Sequence, residues 1–404
     1  IYMENLNKFK ENQVPEFEIR FGTKKIKNIS RIDFYNVIKS LLNYNFSLLN
    51  EDYSLKIISN DFNSNIRTTI NGVNNINLYC KNNELTSIDK KYLEFTDKKY
   101  FINNDEKTLF DVDDYNFRAS FQIENNFSNS DTRITDLLNT WGSIKKIFRF
   151  VKRFSYTNKE FPFIVHLSIV KMSKYNDTVK NFINIRESDV FNNFENYEIE
   201  IEAINDEINK YKKKDVSNLL ISLKNIIKFI LIGLQESNYP ITFTKINEVK
   251  QNYFNLVKKK KIDIINSSSK DFIGPSSLTL QKINAIVNNK NINDANIRIN
   301  YTVTDKADGL RKLLYINIDG LIYFITSGFD IQFTGYKVSK KNLFNSILDG
   351  EHVLYDKNMN YINLFMVFDI YFNNSKNVTS LPLISDEKDS DFRLKNLTKF
   401  IKEL

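Results

Sequence analysis

Up to about residue 203 the chain repeats one pattern: short segments in which apolar and polar side chains alternate with period two, as in EFEIRFG, IRTTING, INLYCK, YNFRASFQIE, KKIFRFVKRFSY, FIVHLSIV and YEIEIEA. Side chains of a strand point alternately to its two faces, so each segment carries one apolar and one polar face. So many half-buried strands predict an antiparallel sheet closed into a barrel or sandwich. Helices are expected to interrupt it only near residues 31–44 and 131–141.

The period then changes. Val216, Leu219, Leu220, Leu223, Ile226, Ile227 and Ile230 fall on one helical face within residues 206–236, a helix expected to pack under the barrel. After NYPITFT come a helical region, the basic run Lys258–Lys261 and NSSSKDFIGPSS, which reads as a linker. The domain boundary is placed between residues 245 and 246. A helix is expected around residues 277–288, and strands return in NYTVTDK, RKLLYINI, LIYFIT, SILDGEHVLY and YINLFMVFDIYF. The fold class is α+β: an antiparallel barrel over 1–245, then an α+β domain over 246–404.

The 404 residues allow two or three domains, so one site need not explain the whole chain. With 33 Phe and 21 Tyr but only 10 Gly and 5 Pro, the chain has material for real cores and is not a low-complexity polymer. A formal charge of +8 biases it toward polyanions such as RNA or nucleotide phosphates. The single cysteine, Cys80, excludes an internal disulfide framework and a multi-cysteine zinc site, and fits a reducing, cytoplasmic compartment. The most apolar run, IIKFILIGL, is short and holds Lys228, so no membrane span is expected.

The charged faces carry the chemistry. Glu16, Glu18 and Arg20 share one face of a strand, and Glu198, Glu200 and Glu202 share one face of another. Adjacent same-face glutamates repel, so an enclosed face needs cations. Arg67, Arg118, Arg149 and Arg153 stand at polar positions of other strands. With polar faces turned inward, the barrel becomes a tunnel with acids on one side and arginines elsewhere. Such a tunnel suits a divalent ion held by carboxylate oxygens and arginines gripping a polyphosphate, with hydrolysis of a terminal phosphate as the implied reaction.

An N-terminal ExExRFG strand followed by a later ExExE strand resembles the triphosphate tunnel metalloenzymes, in particular the RNA triphosphatase domains of viral and fungal mRNA capping enzymes. The resemblance implies Glu16, Glu18 and Glu200 as ligands of magnesium or manganese, with Glu198 and Glu202 in catalytic support. It implies Arg20, Arg67, Arg118 and Arg153 as the phosphate grip. In FIVHLSIV, His166 stands where the family has an acidic residue, which leaves the water-orienting role at that strand open.

The stretch YTVTDKADGLRKLLYIN contains Lys306, Asp308, Gly309 and Arg311, and resembles the KxDGxR signature of covalent nucleotidyltransferases. ILDGE, with Glu351, and LFMVFDIYF, with Asp369, follow in the family's order. In that chemistry a neutral lysine amine attacks the α-phosphorus of GTP, expels pyrophosphate and leaves a phosphoramidate, so Lys306 is expected to be partly buried beside positive charge. The glycine is expected to permit a tight turn beside the nucleotide. The resemblance implies that Asp308, Gly309, Arg311, Glu351 and Asp369 bind the nucleotide or its metal ion.

Together the two constellations resemble the multifunctional mRNA capping enzymes of large cytoplasmic DNA viruses, of the asfarvirus and poxvirus kind. The resemblance implies removal of the γ-phosphate from 5′-triphosphate RNA and transfer of GMP from GTP to the diphosphate end. Implied partners are 5′-triphosphate RNA, GTP, and a viral methyltransferase or stimulatory subunit, in host cytoplasm, viral factory or virion. The family's later motifs do not follow FRLKNLTKFIKEL, so triphosphate hydrolysis without efficient Lys306 adduct formation is expected. An RNA ligase-like nucleotidyltransferase and a non-catalytic RNA-binding scaffold remain alternatives.

Overall fold

The computed structural model describes residues 13–22, 27–59, 66–100, 108–175, 178–210, 216–258, 267–286, 296–299, 301–387 and 390–404. It divides into two compact units, Ile1–Glu236 and Ser237–Leu404.

In the first unit, β1 (Gln13–Phe21), β2 (Ser47–Ser59), β3 (Arg67–Asn71), β4 (Leu93–Tyr100), β5 (Leu109–Val112), β6 (Phe117–Phe127), β7 (Lys146–Thr157), β8 (Phe163–Met172) and β11 (Asn196–Ala203) form one antiparallel sheet. A two-residue hairpin, β9 (Lys174–Tyr175) and β10 (Thr178–Val179), stands apart. Around the sheet the order is β1, β11, β8, β7, β2, β3, β4, β6, and β6 pairs back with β1 from Gln13↔Asn125 to Phe21↔Phe117. An eight-stranded barrel is therefore closed and has no open edge around the ring. β5 lies beside Phe117–Ser120 of β6, continuing the position that β4 holds along the rest of that strand.

The barrel turns its apolar faces outward. Ile19, Phe21, Val165, Leu167, Ile199 and Ile201 are buried with Phe34, Val37 and Leu41 of the helix Arg31–Asn43 and with Leu219, Ile226 and Ile230 of the helix Val216–Gln235. The first of these helices starts at a capping box, in which Ser30 Oγ accepts from Asp33 N (3.1 Å) and Asp33 Oδ2 accepts from Ser30 N (2.9 Å). The second is long and apolar enough by composition to cross a membrane, with a mean hydropathy of 1.5. Its buried side is spent on the first helix: a Cβ on Gly233 would lie 2.6 Å from Val37 Cα, so only glycine lets the two backbones cross here. On the other side of the barrel, Leu55, Ile57, Ile70, Phe95 and Phe148 bury against Ile76 and Tyr79 of the helix Val73–Asn82 and Ile134 and Leu137 of the helix Thr132–Thr140.

The second unit is a six-stranded antiparallel sheet in the order β14 (Ile331–Lys337), β13 (Leu321–Thr326), β12 (Leu310–Ile316), β15 (Ser346–Tyr355), β16 (Tyr361–Asn373) and β17 (Lys376–Asn377). Val249, Tyr253 and Phe254 of the helix Phe243–Lys258 bury against Leu313, Tyr315, Tyr323 and Ile347. Ile316, Leu348 and Ile370 join Leu397 and Phe400 of the helix Arg393–Glu403 in a separate cluster.

Several expectations change. INLYCK belongs to the helix Val73–Asn82, because Ile76 and Tyr79, three apart, bury together. β2, β4, β5 and β14 were not among the expected strands. The division falls at 236/237 rather than 245/246, since the helix Phe243–Lys258 is core to the second unit. The expected linker is docked there: Tyr253 Oη donates to Asp271 O (2.9 Å), and Lys258 pairs with Asp271 (2.5 Å). NYTVTDK is not a strand over residues 301–306, where Val303 is 99% exposed and has no core to enter. Of the helix expected at 277–288, the described part holds only a 3-10 turn, Lys282–Ala285, and the remainder lies outside the described residues. So do Lys259–Lys261 of the basic run.

Candidate functional site

The polar faces of the barrel strands enclose a cavity of about 580 Å³. Carboxylates of Glu16, Glu18, Glu51, Asp52, Glu94, Glu124, Glu200 and Glu202 line it together with the cations of Arg20, Lys56, Arg67, Arg149 and Arg153. Register explains their placement. In β1 and β11, Glu18 faces Glu202 and Arg20 faces Glu200. In β2, Asp52 faces Arg153 and Lys56 faces Arg149 of β7. Four steps round an eight-strand ring is the opposite side, so the acid wall of β1 and β11 looks across the tunnel at β2.

Glu200 is the node of the acid wall. It is 4% exposed, and its oxygens lie 3.0 Å from Arg20 Nε and 3.1 Å from Arg153 Nη2. Burial by itself would push its carboxyl up, yet Arg20, Arg153, Arg149 and Lys56 together hold it far below the usual carboxylate range. Arg20 Nε also donates to Glu18 Oε1 at 2.6 Å. Burial opposes its charge, but Glu200 and Glu18 outweigh that and raise its pKa. β8 lies between β7 and β11, and its small inward Ser168 lets Arg153 reach over to Glu200.

The expected residues thus come together unequally. Glu16, Glu18, Glu200 and Glu202 line the cavity with Arg20, Arg67 and Arg153. Arg67 pairs with Glu124, and Arg149 pairs with Glu198, which is not among the lining residues. Arg118 turns to Asp111 of β5, at 2.8 and 3.3 Å, and is also absent from the lining. His166 accepts or donates at Ser155 Oγ through Nδ1 (2.9 Å), and its Nε2 lies 3.3 Å from Glu202 Oε2. It therefore anchors an acid where the resemblance suggested another acid.

Lys56 escaped the sequence reading although SLKI does carry a signal, a lysine between two fully buried residues, Leu55 and Ile57. Burial first, then Arg153, Arg67 and Arg149, lower its pKa to about 7. The carboxylates at the tunnel wall are oxygen donors of the type that magnesium and manganese take. Among the described residues no three His, Cys, Asp or Glu side chains are already gathered around one point for an ion. Glu18 and Glu200 are instead engaged by Arg20 and Arg153.

In the second unit Lys306 lies in the extended segment before β12, 83% exposed at its side chain, with Nζ 2.5 Å from Asp308 Oδ1. That bond to Asp308 raises its pKa, which corrects the expectation of a buried, readily deprotonated amine. Gly309 answers to space rather than to a turn, since an added Cβ would lie 2.6 Å from the carbonyl oxygen of His352. Arg311 faces Glu351 in register, but its guanidinium forks onto the fully buried Asp349 at 3.1 and 2.5 Å and donates to Pro275 O at 2.6 Å. Tyr371 Oη donates to the same Asp349 at 2.5 Å. Asp369 faces Asp349 across β15 and β16, and Arg393 holds it at 2.8 and 3.1 Å. Glu351 lies within electrostatic reach of Lys306. Of the five expected nucleotide contacts, Asp308, Arg311 and Asp369 are thus tied into intramolecular ion pairs.

No curated protein matches the chain. Solved structures similar to it include the RNA triphosphatase domain of a trifunctional mimivirus mRNA capping enzyme, 20% identical, over 56% of this chain and 94% of that one, with a TM-score of 0.37. A second structure of the mimivirus capping enzyme triphosphatase is 18% identical over the same shares, with a TM-score of 0.36. The S. pombe Pct1 RNA triphosphatase is 12% identical, over 56% of this chain and 88% of that one, with a TM-score of 0.34. Residues 241–403 match the family described as mRNA capping enzyme, catalytic domain. The chain joins a closed, eight-stranded antiparallel tunnel to a region that matches the catalytic domain of mRNA capping enzymes.

Proposed function

We propose that the chain acts in mRNA 5′ capping, its tunnel removing the γ-phosphate from 5′-triphosphate RNA and its second unit transferring GMP from GTP through Lys306. The observation that carries the first half is the two-walled cavity, with acids of β1 and β11 facing cations of β7, β2 and β3. Glu16, Glu18 and Glu200 would hold a divalent ion, magnesium or manganese, which when bound supplies positive charge to the oxygens of the γ-phosphoryl group. Arg20 and Arg153 trade carboxylate oxygens for phosphate oxygens when substrate enters, which opens Glu18 and Glu200 to other ligands. Arg67 adds a third guanidinium to the grip. Glu202, held by His166, takes the proton of the attacking water. Water oxygen bonds to the γ-phosphorus, the bond to the bridging oxygen breaks, and the diphosphate end leaves.

In the second unit the Lys306 nitrogen bonds to the α-phosphorus of GTP and pyrophosphate leaves with the electrons of the broken P–O bond. The ammonium must first lose its proton, against the stabilisation that Asp308 gives it. Nucleotide binding must therefore desolvate Lys306 before attack.

The test is phosphate release from 5′-triphosphate RNA in magnesium or manganese, with Glu200→Ala beside it. Loss of release in the variant supports the tunnel assignment, and undiminished release overturns it. Labelled GTP and labelled ATP, offered in parallel, report which nucleotide becomes acid-labile and protein-bound. Capture of adenylate would favour a ligase-like enzyme, and RNA binding without phosphate release would favour a scaffold.

A further inference from the structure

The net charge of the chain is unevenly spread. Residues 237–404 hold 23 Lys and Arg against 17 Asp and Glu, which is +6 of the total of +8. Part of that excess gathers on one face of the second unit. In the helix Arg393–Glu403, Leu397 and Phe400 are buried and Arg393 is bound to Asp369, whereas Lys395, Lys399 and Lys402 are exposed. Spacings of four and three put these lysines in one row on the side away from Leu397 and Phe400. The edge strand β14 ends beside that row. It carries Tyr336, 70% exposed, and Lys337, and is followed by the exposed Lys340 and Lys341. Val338, Leu343 and Phe344 pack with Leu397 and Phe400, and Lys340 Nζ donates to the Glu403 carbonyl oxygen, so the segment and the helix share one surface.

A lysine in a last helical turn suits the helix dipole, and a charged edge strand resists pairing with another sheet. Those needs account for Lys402 and Lys337, but not for Lys341, Lys395 and Lys399. Among the described residues none of these lysines, nor Lys340, pairs with a carboxylate. Glu403, the acid at the junction, is held by Asn342. The row also has a starting point. It begins two residues after Arg393, which holds Asp369 of the expected nucleotide contacts, and Lys402 lies nine residues beyond Arg393, about 14 Å farther along the helix. Lys340, Lys341, Lys337 and Tyr336 continue the surface from that end. Ammonium groups in series with an exposed ring match the two parts of a single-stranded nucleic acid, its phosphates and its base faces.

We propose that this face binds the body of the acceptor RNA, with Lys395, Lys399, Lys402 and Lys341 on its phosphates and Tyr336 stacked on a base, a role that rests on the capping function proposed for the second unit. The acceptor's diphosphate end goes to the nucleotide, and the chain behind it needs a path over the protein. Lysine is a point charge without arginine's planar fork, so the path holds the backbone and does not read sequence. Binding here is therefore strongly dependent on salt and tolerant of base composition.

The experiment uses the 404-residue chain and a short, labelled single-stranded RNA with a 5′-hydroxyl end, and follows affinity by fluorescence anisotropy across a salt series. Changing Lys395, Lys399 and Lys402 together to glutamine keeps helix propensity and is expected to leave the unfolding temperature unchanged. It should weaken binding and make the slope of log affinity against log salt shallower by about two. The same three positions changed to arginine should bind like the parent. Tyr336→Ala should weaken binding about fivefold or more with the slope unchanged. A glutamine variant with the parent's affinity and slope overturns the inference, as does a loss of affinity that the arginine variant shares. Polyglutamate bound by the parent as tightly as RNA at equal salt overturns it in favour of an acidic protein partner. None of these readings needs catalysis. A chain that releases no phosphate and forms no GMP adduct therefore refutes the proposed function, while the salt slopes still decide whether this face holds RNA.

Discussion

Replacing Glu200 by glutamine removes one charge and almost no volume, so it isolates the electrostatic work of the acid wall. Breaking a fully buried ion pair by deleting one partner costs ~3–5 kcal/mol. Here Arg20 and Arg153 are 40% and 25% exposed at their side chains, and Arg20 keeps Glu18, so solvent and the second acid screen part of the loss. About 2 kcal/mol of destabilisation remains after that discount. For a unit of 236 residues this lowers the unfolding temperature by about 4–8 °C. The pH dependence has a definite sign. Despite burial, which would raise it, the surrounding cations depress the folded pKa of Glu200. Its contribution is therefore present above the unfolded carboxyl pKa of about 4.3 and is lost as pH falls below it. Calorimetric scans of Glu200→Gln beside the parent should show the full gap at neutral pH, and the gap should narrow in acid. A variant as stable as the parent at neutral pH, or a gap that stays constant into strong acid, would refute the ion-pair account of the wall.

Gly309→Ala pushes a Cβ to within 2.6 Å of His352 O and should cost about 1–3 kcal/mol, read as faster hydrogen exchange along β12 and β15. Gly233→Ala drives a Cβ onto the Val37 backbone at the helix crossing and should destabilise the first unit by a similar amount, about 1–3 kcal/mol, measured by urea unfolding. Arg393→Ala strips the partner from Asp369, which sits 12% exposed at its side chain, and should cost about 2 kcal/mol in the second unit and loosen the helix Arg393–Glu403. If Lys306 is the nucleophile, labelled GMP adduct should increase with pH. Asp308→Asn should move that profile to lower pH, because Asp308 raises the Lys306 pKa; adduct that survives Lys306→Ala would assign the nucleophile elsewhere.

Much of this protein was legible because the informative patterns are local. Period two in EFEIRFG and YEIEIEA places Glu16, Glu18, Glu200 and Glu202 on shared faces whatever the strands later pair with. Spacing of three and four marks the helix Val216–Gln235, and the order of KADGLR, ILDGE and LFMVFDIYF is likewise a property of the string. INLYCK shows the limit of such reading. It alternates over a few residues as a strand would, yet the burial of Ile76 and Tyr79 against β2 and β7 makes it a helix.

What the string could not contain is register and ring order, because these depend on partners far away along the chain. Arg118 and Arg149 are both arginines on inward strand positions. Pairing sends the first out to Asp111 and the second across β8 to Glu198. His166 becomes an anchor for Glu202 only because β8 and β11 align them. Lys306 matches its motif, but the segment before β12 leaves it exposed and protonated. Sequence alone determined which residues share a face and which motifs follow one another, since both are set within a few residues. Only the closed barrel decided which faces meet, and so set Lys56 of β2, among the described residues, across the tunnel from the acids of β1.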